Sequence, residues 1–321
     1  MKRSFIVGLV ATLAVAAPAG AQCGAAPVTV RQGCQASADL VAYMTPQLAT
    51  AIAGGSSTLG QSGSLGGFGH FAVSIRGTGV LDGGFPQIGK GGFRQDGQPQ
   101  AYNVKDQVIP GVGLDASFGL FRGLSLGATR IGGLDALVSA LYMPNLASDG
   151  DDFTVKAAAG NLKLGYGVRV GILDETLVTP GVHLSYLERD LPAVTLAGTT
   201  GGGAGDTFAL NDFTVKTAAW RVVAAKSFFV FGLQAGLGQD TYKGSAGIAV
   251  SVAGAQASGN AAVEMTRNNM FVGLSMNLLA FRLVGELGQV SGGSFPALVN
   301  SFSKPADGSR VYGSVGLRLA Y

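Results

Sequence analysis

The sequence predicts an all-β fold: a closed antiparallel transmembrane β-barrel of about ten strands, with a short helical segment ahead of it. Three observations support this fold class. Hydrophobic residues make up 47% of the chain, yet no apolar run of about 18 residues follows the N-terminal leader, which excludes a helical membrane protein. Several segments alternate apolar with polar or small residues, as strands between lipid and a lumen do. The last of these segments ends on an aromatic residue, Tyr321.

The first residues have the parts of an export signal. Lys2 and Arg3 form a basic start, residues 5–17 are apolar, and small residues precede a cleavage site after Ala21. The apolar stretch is shorter than the roughly 20 residues that a membrane-spanning helix needs. We therefore expect a cleaved signal peptide over 1–21 and a location in the cell outer membrane, with outer-membrane lipid as one partner.

Charge excludes nucleic acid as a partner. Without Lys2 and Arg3 the formal net charge of +3 falls to +1, and no basic patch remains that would indicate nucleic-acid binding. The high apolar content also excludes a disordered chain. Nothing in the sequence indicates an oligomeric state.

Residues 22–65 are predicted to be a periplasmic segment ahead of the barrel. Its Cys23 and Cys34 are the only cysteines of the chain, and so close a pair in an oxidising periplasm indicates one small disulfide loop. A metal site would need more ligands than these cysteines and the two histidines, His70 and His183, provide. We therefore expect a structural disulfide, no metal and no cofactor.

The same segment contains a predicted helix. Apolar residues at helical spacing occur over 37–52, and two glycines follow as a stop signal. Thr45 is a candidate N-cap with Pro46 at the first helical position, which predicts two short helices that meet at a kink. The helix could plug the periplasmic mouth of the barrel, lie on the inner leaflet or cap the barrel floor, and we favour the cap.

Residues 66–321 are predicted to form the barrel. Short connections near 121–123, 173–176, 226–227 and 279–280 alternate with long ones at 80–108, 144–159, 191–206, 240–262 and 291–308. This asymmetry separates periplasmic turns from external loops. The predicted strands lie near 66–79, 109–120, 124–143, 160–172, 177–189, 207–225, 228–239, 263–278, 281–290 and 309–321. The run Ile248 to Val252 could add a hairpin, and the range considered extends from ten to fourteen strands.

The last strand, 310–321, has the clearest alternation. Val315, Leu317 and Leu319 share one face with the terminal aromatic Tyr321. This pattern resembles the C-terminal signature of outer-membrane barrel proteins, although most of those proteins end in Phe. The resemblance implies that the barrel-assembly machinery recognises these residues during insertion.

The layout as a whole resembles uncharacterised bacterial outer-membrane β-barrel proteins that have a short N-terminal helix before a modest barrel. More distantly it is similar to the long-chain fatty-acid transport porins, which place N-terminal helices inside the barrel. Residues 38–52, 110–120, 140–144 and 270–288 carry the resemblance. Those transporters are longer and have more strands, so none of their substrate-site residues is carried over.

Eight charged residues are predicted to face the lumen: Arg76, Asp115, Lys163, Arg169, Arg282, Glu286, Arg310 and Arg318. They could form a polar pathway or a ligand site. They could also form a salt-bridge network that fills the lumen, because a barrel of eight to ten strands has little internal space and buried charges must be paired. Arg282 and Glu286 are four residues apart on one face, and we favour the network.

Candidate catalytic groups are few. His70 and His183 share their faces with Ser74 and Ser185, and Asp115 points the same way from a neighbouring strand. Hydrolysis would need one histidine within hydrogen-bonding reach of a serine or a carboxylate. Polar lumen filler is the better interpretation of these histidines, so we expect no enzyme and no catalytic residue.

We expect a structural or narrow-transport role, with hydrophobic or amphipathic small molecules as candidate cargo. A surface adhesin or recognition barrel is the alternative, and an outer-membrane hydrolase is the second alternative. Transport predicts a continuous cavity or a lateral gap between strands. Adhesion predicts a filled lumen with ordered external loops, and a hydrolase predicts a histidine contact near the rim.

Overall fold

The structure is a computed structural model. It describes residues 23–142, 146–147, 153–157, 162–201, 205–278 and 280–321. The predicted signal peptide and parts of the predicted loops 144–159 and 191–206 therefore lie outside the described residues. No helix in the described part of the chain is both long and apolar enough to cross a membrane.

Ten antiparallel strands close into one barrel. They are β1 (Phe71–Val80), β2 (Ile109–Phe121), β3 (Gly133–Tyr142), β4 (Leu162–Leu173), β5 (Gly181–Asp190), β6 (Thr207–Phe228), β7 (Phe231–Val252), β8 (Ala255–Leu278), β9 (Phe281–Ser291) and β10 (Arg310–Ala320). Each strand pairs with the next in chain order, and β10 closes the ring by pairing with β1 from Ala72↔Ala320 to Val80↔Tyr312. The predicted fold class and the predicted number of ten strands are confirmed.

The outer surface of the barrel is apolar. Along β10 the outward residues Val315, Leu317 and Leu319 are exposed while the inward residues between them are buried. The other barrel strands repeat this alternation, for example at Leu164 and Tyr166 of β4. An apolar exterior around a closed ring is the surface that a bilayer requires, so the chain is a membrane barrel of the outer-membrane type.

The two ends of the barrel differ in their connections. The end that contains Phe71 and Tyr321 has the shorter connections, and we call it the periplasmic end; the opposite, external end has the longer ones. Between β2 and β3 the chain forms a small hairpin of Leu124–Leu126 and Thr129–Ile131. The predicted strand 124–143 is therefore wrong in its first part, because Gly127 adopts a positive φ of 60° that turns the chain.

Three strands rise far above the membrane. β6, β7 and β8 contain 22, 22 and 24 residues, about twice the 9 to 11 residues that cross a bilayer. Their outer ends, 207–215, 243–252 and 255–263, form with the short strands Val194–Thr199, Phe153–Ala157 and Leu146–Ala147 what we call the external sheet. Ile248 to Val252 is the outer end of β7, so the additional hairpin considered for this run is wrong.

The other external connections hold short elements. These are a second helix, α2 (Ile88–Gly91), the antiparallel pair Gly84–Pro86 and Val104–Asp106, and the parallel pair Ala101–Tyr102 and Ser301–Phe302. The loops between β1 and β2 and between β9 and β10 therefore hold one another through strand pairing.

The N-terminal helix, α1 (Val28–Ala53), is one continuous helix of 26 residues. The prediction of two short helices is wrong: Pro46 lies inside the helix, and the Thr45 hydroxyl donates to the Val41 carbonyl at 2.7 Å instead of capping a new helix. Proline in a helix interior removes a backbone hydrogen bond. Packing compensates here, because most of the α1 side chains are buried on all sides.

The helix runs down the inside of the molecule from the external end. Near its start, Gln32 donates to Tyr102 and Asn300 in the external loops, at 2.8 and 3.0 Å. Its last residue, Ala53, lies halfway down the barrel wall, where Arg76 donates to the Gly54 carbonyl. The segment predicted to be periplasmic therefore occupies the lumen and the external end, and the predicted floor cap is wrong.

Residues 54–67, which we call the lumenal segment, continue from α1 to the periplasmic end. The Leu65 backbone N–H donates to Asp135 of β3, at 3.1 Å. At Gly119 of β2 an added Cβ would lie 2.1 Å from the Gly67 carbonyl oxygen. The lumenal segment is therefore in direct contact with the barrel wall. Helix and lumenal segment together fill the barrel from the external loops to the start of β1.

The main apolar core lies between α1 and the external sheet. Leu40 and Val41 of α1 belong to one buried cluster with Leu210 of β6 and Ile248 of β7. The inward face of the sheet is apolar here because it packs on the helix, whereas the barrel wall below is polar inside. The apolar positions therefore change sides along β6, β7 and β8.

Candidate functional site

Three arginines surround the C-terminal end of α1. Arg76 of β1, Arg189 of β5 and Arg221 of β6 form what we call the arginine collar. Their guanidinium groups donate to the carbonyl oxygens of Ile52, Ala53, Gly54 and Ser56, at 2.9 to 3.3 Å. The last carbonyls of a helix lack partners within the helix and carry the negative end of its dipole, so the collar satisfies the groups that most need cations.

Two aspartates balance the collar. Asp115 of β2 contacts Arg189 at 2.8 Å and Arg76 at 3.4 Å. Asp240 of β7 pairs with Arg221 and also accepts a hydrogen bond from Tyr242 at 2.8 Å. These five charged side chains are at least 94% buried, where an unpaired charge would be very costly. The three collar arginines thus face only two carboxylates. The carbonyl oxygens at the end of α1 supply the negative potential that balances the third positive charge.

Glycine in the wall lets the helix approach. At Gly111 of β2 an added Cβ would lie 2.4 Å from the carbonyl oxygen of Ala51. A side chain there would collide with the helix backbone just above the collar. Small residues at inward positions therefore bring the C-terminal end of α1 within reach of the arginines.

The barrel wall also holds the lumenal segment through its backbone. Glu286 of β9 accepts from the Ser56 N–H at 3.2 Å, from Gln234 at 2.6 Å and from Ser314 at 2.8 Å. Gln234 in turn accepts from the Gly60 N–H at 3.1 Å. The segment has no regular structure, so buried side chains of the wall replace the hydrogen bonds that a helix or sheet would supply.

The eight predicted lumen residues do not form one network. Arg76 and Asp115 belong to the collar, and Arg169 pairs instead with Asp135 of β3 at 2.7 Å. Arg310 lies at the external end, where it donates to the Pro305 carbonyl at 2.6 Å. Lys163 is exposed at the external end of β4, so its placement in the lumen network is wrong.

Arg282 and Glu286, which the favoured network places four residues apart on one face, do not form an ion pair with each other. Both side chains lie on one face of β9, but four residues along a strand separate them by roughly 13 Å. Glu286 binds the lumenal segment, as described above. Arg282 lies lower in the wall and donates to the Gly60 carbonyl at 2.5 Å and to Asn277 at 2.7 Å.

Five buried charged residues at inward positions were missed by sequence reasoning: Asp135, Arg189, Arg221, Asp240 and Arg267. Each lies at an inward position of a barrel strand, and a charge at such a position was a signal that could have identified it. Which cation meets which carboxylate depends on the strand register and on α1.

The two histidines do not approach a catalytic partner. His70 is exposed at the periplasmic end, and His183 is fully buried in β5 with both ring nitrogens lacking a hydrogen-bond partner. Asp115, the candidate orienting carboxylate, is held by the collar. Among the described residues, no group of three or more His, Cys, Asp or Glu side chains is arranged to hold a metal ion.

The cysteine pair and the C-terminal signature have defined places. Cys23 and Cys34 form a disulfide at the external start of α1, with 5.8 Å between their Cα atoms. Val315, Leu317 and Leu319 lie on the lipid-facing side of β10, and Tyr321 follows it with 81% of its side chain exposed. The disulfide thus lies at one end of the molecule and the signature at the other.

No family model matches the chain, and no curated protein sequence matches it. Several solved barrels resemble it in architecture. The translocator domain of the autotransporter NalP from Neisseria meningitidis is 11% identical with a TM-score of 0.42, over 91% of this chain and 99% of that one. The toluene transporter TodX of Pseudomonas putida is 11% identical with a TM-score of 0.35, over 82% of this chain and 96% of that one.

The outer membrane protease OmpT from Escherichia coli is also similar in architecture. It is 10% identical with a TM-score of 0.37, over 78% of this chain and 96% of that one. The three proteins named differ in what they do, and at this level of similarity none of their activities transfers to this chain.

Proposed function

We propose that this protein is a plugged barrel of the outer membrane that presents the external sheet as a recognition surface. The observation that carries the proposal is the continuous packing of α1, whose lower half fills the lumen and whose upper half supports the external sheet. The helix thereby joins the membrane anchor and the exposed structure into one body. In this account the signal peptide is removed after Ala21, and the barrel-assembly machinery inserts the chain through its C-terminal signature.

Hydrogen bonds fasten the external structure to α1. Asp39 of α1 accepts from the backbone N–H of Asn300 at 2.6 Å, from its side-chain amide at 2.8 Å and from the Val299 N–H at 3.2 Å. Burial raises the pKa of Asp39 above its usual value, and the hydrogen bonds from Asn300 and Val299 oppose that shift. The loop before β10 is therefore fastened to the helix, as a preformed binding surface requires.

The outer face of the external sheet contains a neutral cleft of about 790 Å³. Thr199, Thr207, Ser251 and Gln256 form one row across four paired strands. Alanines of the next row, including Ala209 and Ala249, form the floor. The lining residues carry hydroxyl, amide and apolar groups, with no ionisable side chain among them. Polar groups spaced about 4.8 Å apart across strands suit a neutral polyhydroxylated ligand, so we assign carbohydrate as the ligand class.

The experiment is a binding measurement on immobilised neutral glycans with the purified full chain. Ser251→Arg places a bulky cation in the row and is expected to weaken binding by at least about tenfold. Ser309→Arg, an exposed external position outside the cleft, is the matched control and should bind as the wild type does. Absence of binding to any neutral glycan, or equal loss in both variants, contradicts the proposal.

Transport is the second candidate, and the irregular backbone of the lumenal segment is the observation that favours it. A pathway through the barrel would require residues 54–67 to leave the wall, because they and α1 fill the lumen. Planar-bilayer recordings on the purified chain separate the two candidates. A recognition barrel is expected to show no steady conductance, whereas steady conductance in the wild type would favour transport.

A further inference from the structure

Two arginines at the periplasmic end lie directly opposite each other. Arg282 of β9 and Arg318 of β10 are register partners in the barrel wall, and both occupy inward positions. Like charges directly opposite in neighbouring strands repel each other and destabilise the pair. The placement therefore calls for a negative group nearby.

No side chain in the described part of the chain supplies that group. Arg318 is 6% exposed, and its guanidinium donates to the neutral amide of Gln61. Arg282 donates only to the neutral groups of Asn277 and Gly60. Among the described residues, neither arginine forms an ion pair, whereas the collar arginines and Arg169 each pair with an aspartate.

Two carboxylates of neighbouring elements are already engaged. Asp135 binds Arg169 at 2.7 Å and the Leu65 N–H. Glu175, in the connection between β4 and β5, contacts Lys226 at 3.3 Å and accepts the Ser62 hydroxyl at 2.5 Å. Neither is free to neutralise the arginine pair, so two positive charges remain, with Arg318 buried and Arg282 half-buried.

The arginine pair faces an open space. A recess of about 400 Å³ at the periplasmic mouth is lined by both arginines and by polar groups of Gln61, Ser62, His70 and Asn277. No acidic side chain belongs to this lining, and the main-chain oxygen of Tyr321, which also borders the recess, accepts from the Phe71 N–H at 3.0 Å. The recess therefore combines a buried guanidinium group of Arg318, a half-buried one of Arg282, additional hydrogen-bond donors and access from the periplasm.

We propose that this recess is a binding site for a phosphate group, which enters from the periplasmic side and bridges Arg282 and Arg318. Guanidinium groups match the geometry of phosphate oxygens through paired N–H donors, and two arginines balance a doubly charged anion. The phosphate can be free in the periplasm or belong to the headgroup of an inner-leaflet phospholipid. The site lies at the opposite end from the external cleft and does not depend on the proposed recognition function.

The test is thermal unfolding of the purified full chain in detergent, with inorganic phosphate added at constant ionic strength. Phosphate is expected to raise Tm saturably by several degrees, because a ligand that binds only the folded state stabilises it. Arg282→Gln and Arg318→Gln should lose this rise. The phosphate-dependent rise is the readout, because Arg282→Gln removes both the repulsion from Arg318 and the hydrogen bonds to Gly60 and Asn277, whereas a purely structural arginine would leave the rise unchanged.

Arg310→Gln is the matched control, since Arg310 lies at the external end, and it should retain the rise in Tm. Arg318→Lys keeps the charge and should retain part of it. The proposal is overturned by the absence of a saturable rise in the wild type, by an unchanged rise in Arg282→Gln, or by an equal rise with acetate.

Vesicles distinguish the two sources of phosphate. We compare binding of the wild type and Arg282→Gln to inorganic phosphate and to phosphatidylglycerol presented in phosphatidylcholine vesicles. Arginine-dependent binding of inorganic phosphate alone identifies the free ion, and arginine-dependent enrichment of phosphatidylglycerol alone identifies the headgroup. If neither inorganic phosphate nor phosphatidylglycerol binds in an arginine-dependent way, the proposed phosphate site is wrong. The proposed external recognition surface is unaffected by that result.

Discussion

At the scale of single residues, the collar explains how a helix can end inside a membrane barrel. The carbonyls at the end of α1 would be unsatisfied in a dry lumen, and each unsatisfied buried group costs roughly 1 to 3 kcal/mol. Arg76, Arg189 and Arg221 supply donors from three different strands. Asp115 and Asp240 then keep the arginines from being unpaired charges, so helix end and barrel wall depend on each other.

Removal of one collar arginine is therefore expected to be severe. Arg221→Ala leaves Asp240 buried without its cation and the Ala53 carbonyl without a donor, which should lower the free energy of unfolding by about 3 to 5 kcal/mol. Denaturant unfolding measures this loss of stability, and the heat-dependent gel mobility of the barrel reports the folded fraction. The double variant Arg221→Ala/Asp240→Ala should lose less than the sum of the single variants.

Arg94→Gln is the matched control for that loss. Arg94 pairs with Asp96 in an external loop, where both side chains are about half exposed. Exposed ion pairs contribute at most about 1 kcal/mol, so this variant should be nearly neutral. Equal losses in Arg221→Ala and Arg94→Gln would show that burial in the collar does not matter.

At the scale of elements, the close approach of α1 to the wall depends on residue size. Gly111→Ala would place a Cβ against the Ala51 carbonyl and should destabilise the protein by about 1 to 3 kcal/mol through overpacking. Gly77→Ala on β1 is the control, because an added Cβ there meets no atom within 4 Å. It should be neutral or slightly stabilising. If both variants unfold alike, the helix does not press on β2.

The same packing explains what could be predicted from the sequence. Outward residues such as Leu164 and Val315 must be apolar in lipid, so the alternation revealed all ten strands. In the external sheet, Ile248 and Val250 point inward because they pack on α1, and this reversal hid the outer ends of β7 and β8, whereas the outer end of β6 lay within the predicted strand 207–225. Pro46 suggested a kink because its local preference for a helix start is visible in sequence, while the burial that overrides it is not.

The disulfide acts on the upper end of α1. It closes a short loop between Cys23 and Cys34, and such loops contribute about 2 to 4 kcal/mol, mainly by constraining the unfolded chain. Cys34→Ser should therefore lower the stability of the helix start most. Hydrogen exchange is expected to show faster exchange over residues 28–34 and unchanged protection near Ala53. A uniform loss of protection from exchange along the whole of α1 would contradict this local role of the disulfide.

At the scale of the whole molecule, one helix connects the cell surface with the middle of the membrane. Its external half supports a sheet that stands above the bilayer, and its internal half ends in the arginine collar. The lumenal segment continues the filling to the periplasmic mouth, where the proposed phosphate site lies. The barrel wall is consequently an anchor and a housing for one folded chain, and its two ends carry separate surfaces.

The orientation of α1 is the central claim, and cysteine labelling on intact cells tests it most directly. Val28→Cys at the exposed start of α1 should react with a membrane-impermeant maleimide as readily as Ala253→Cys at the external turn between β7 and β8. Ala280→Cys at the periplasmic turn before β9 should react only after the outer membrane is permeabilised. If Val28→Cys behaves like Ala280→Cys, the helix begins at the periplasmic end and the account is wrong.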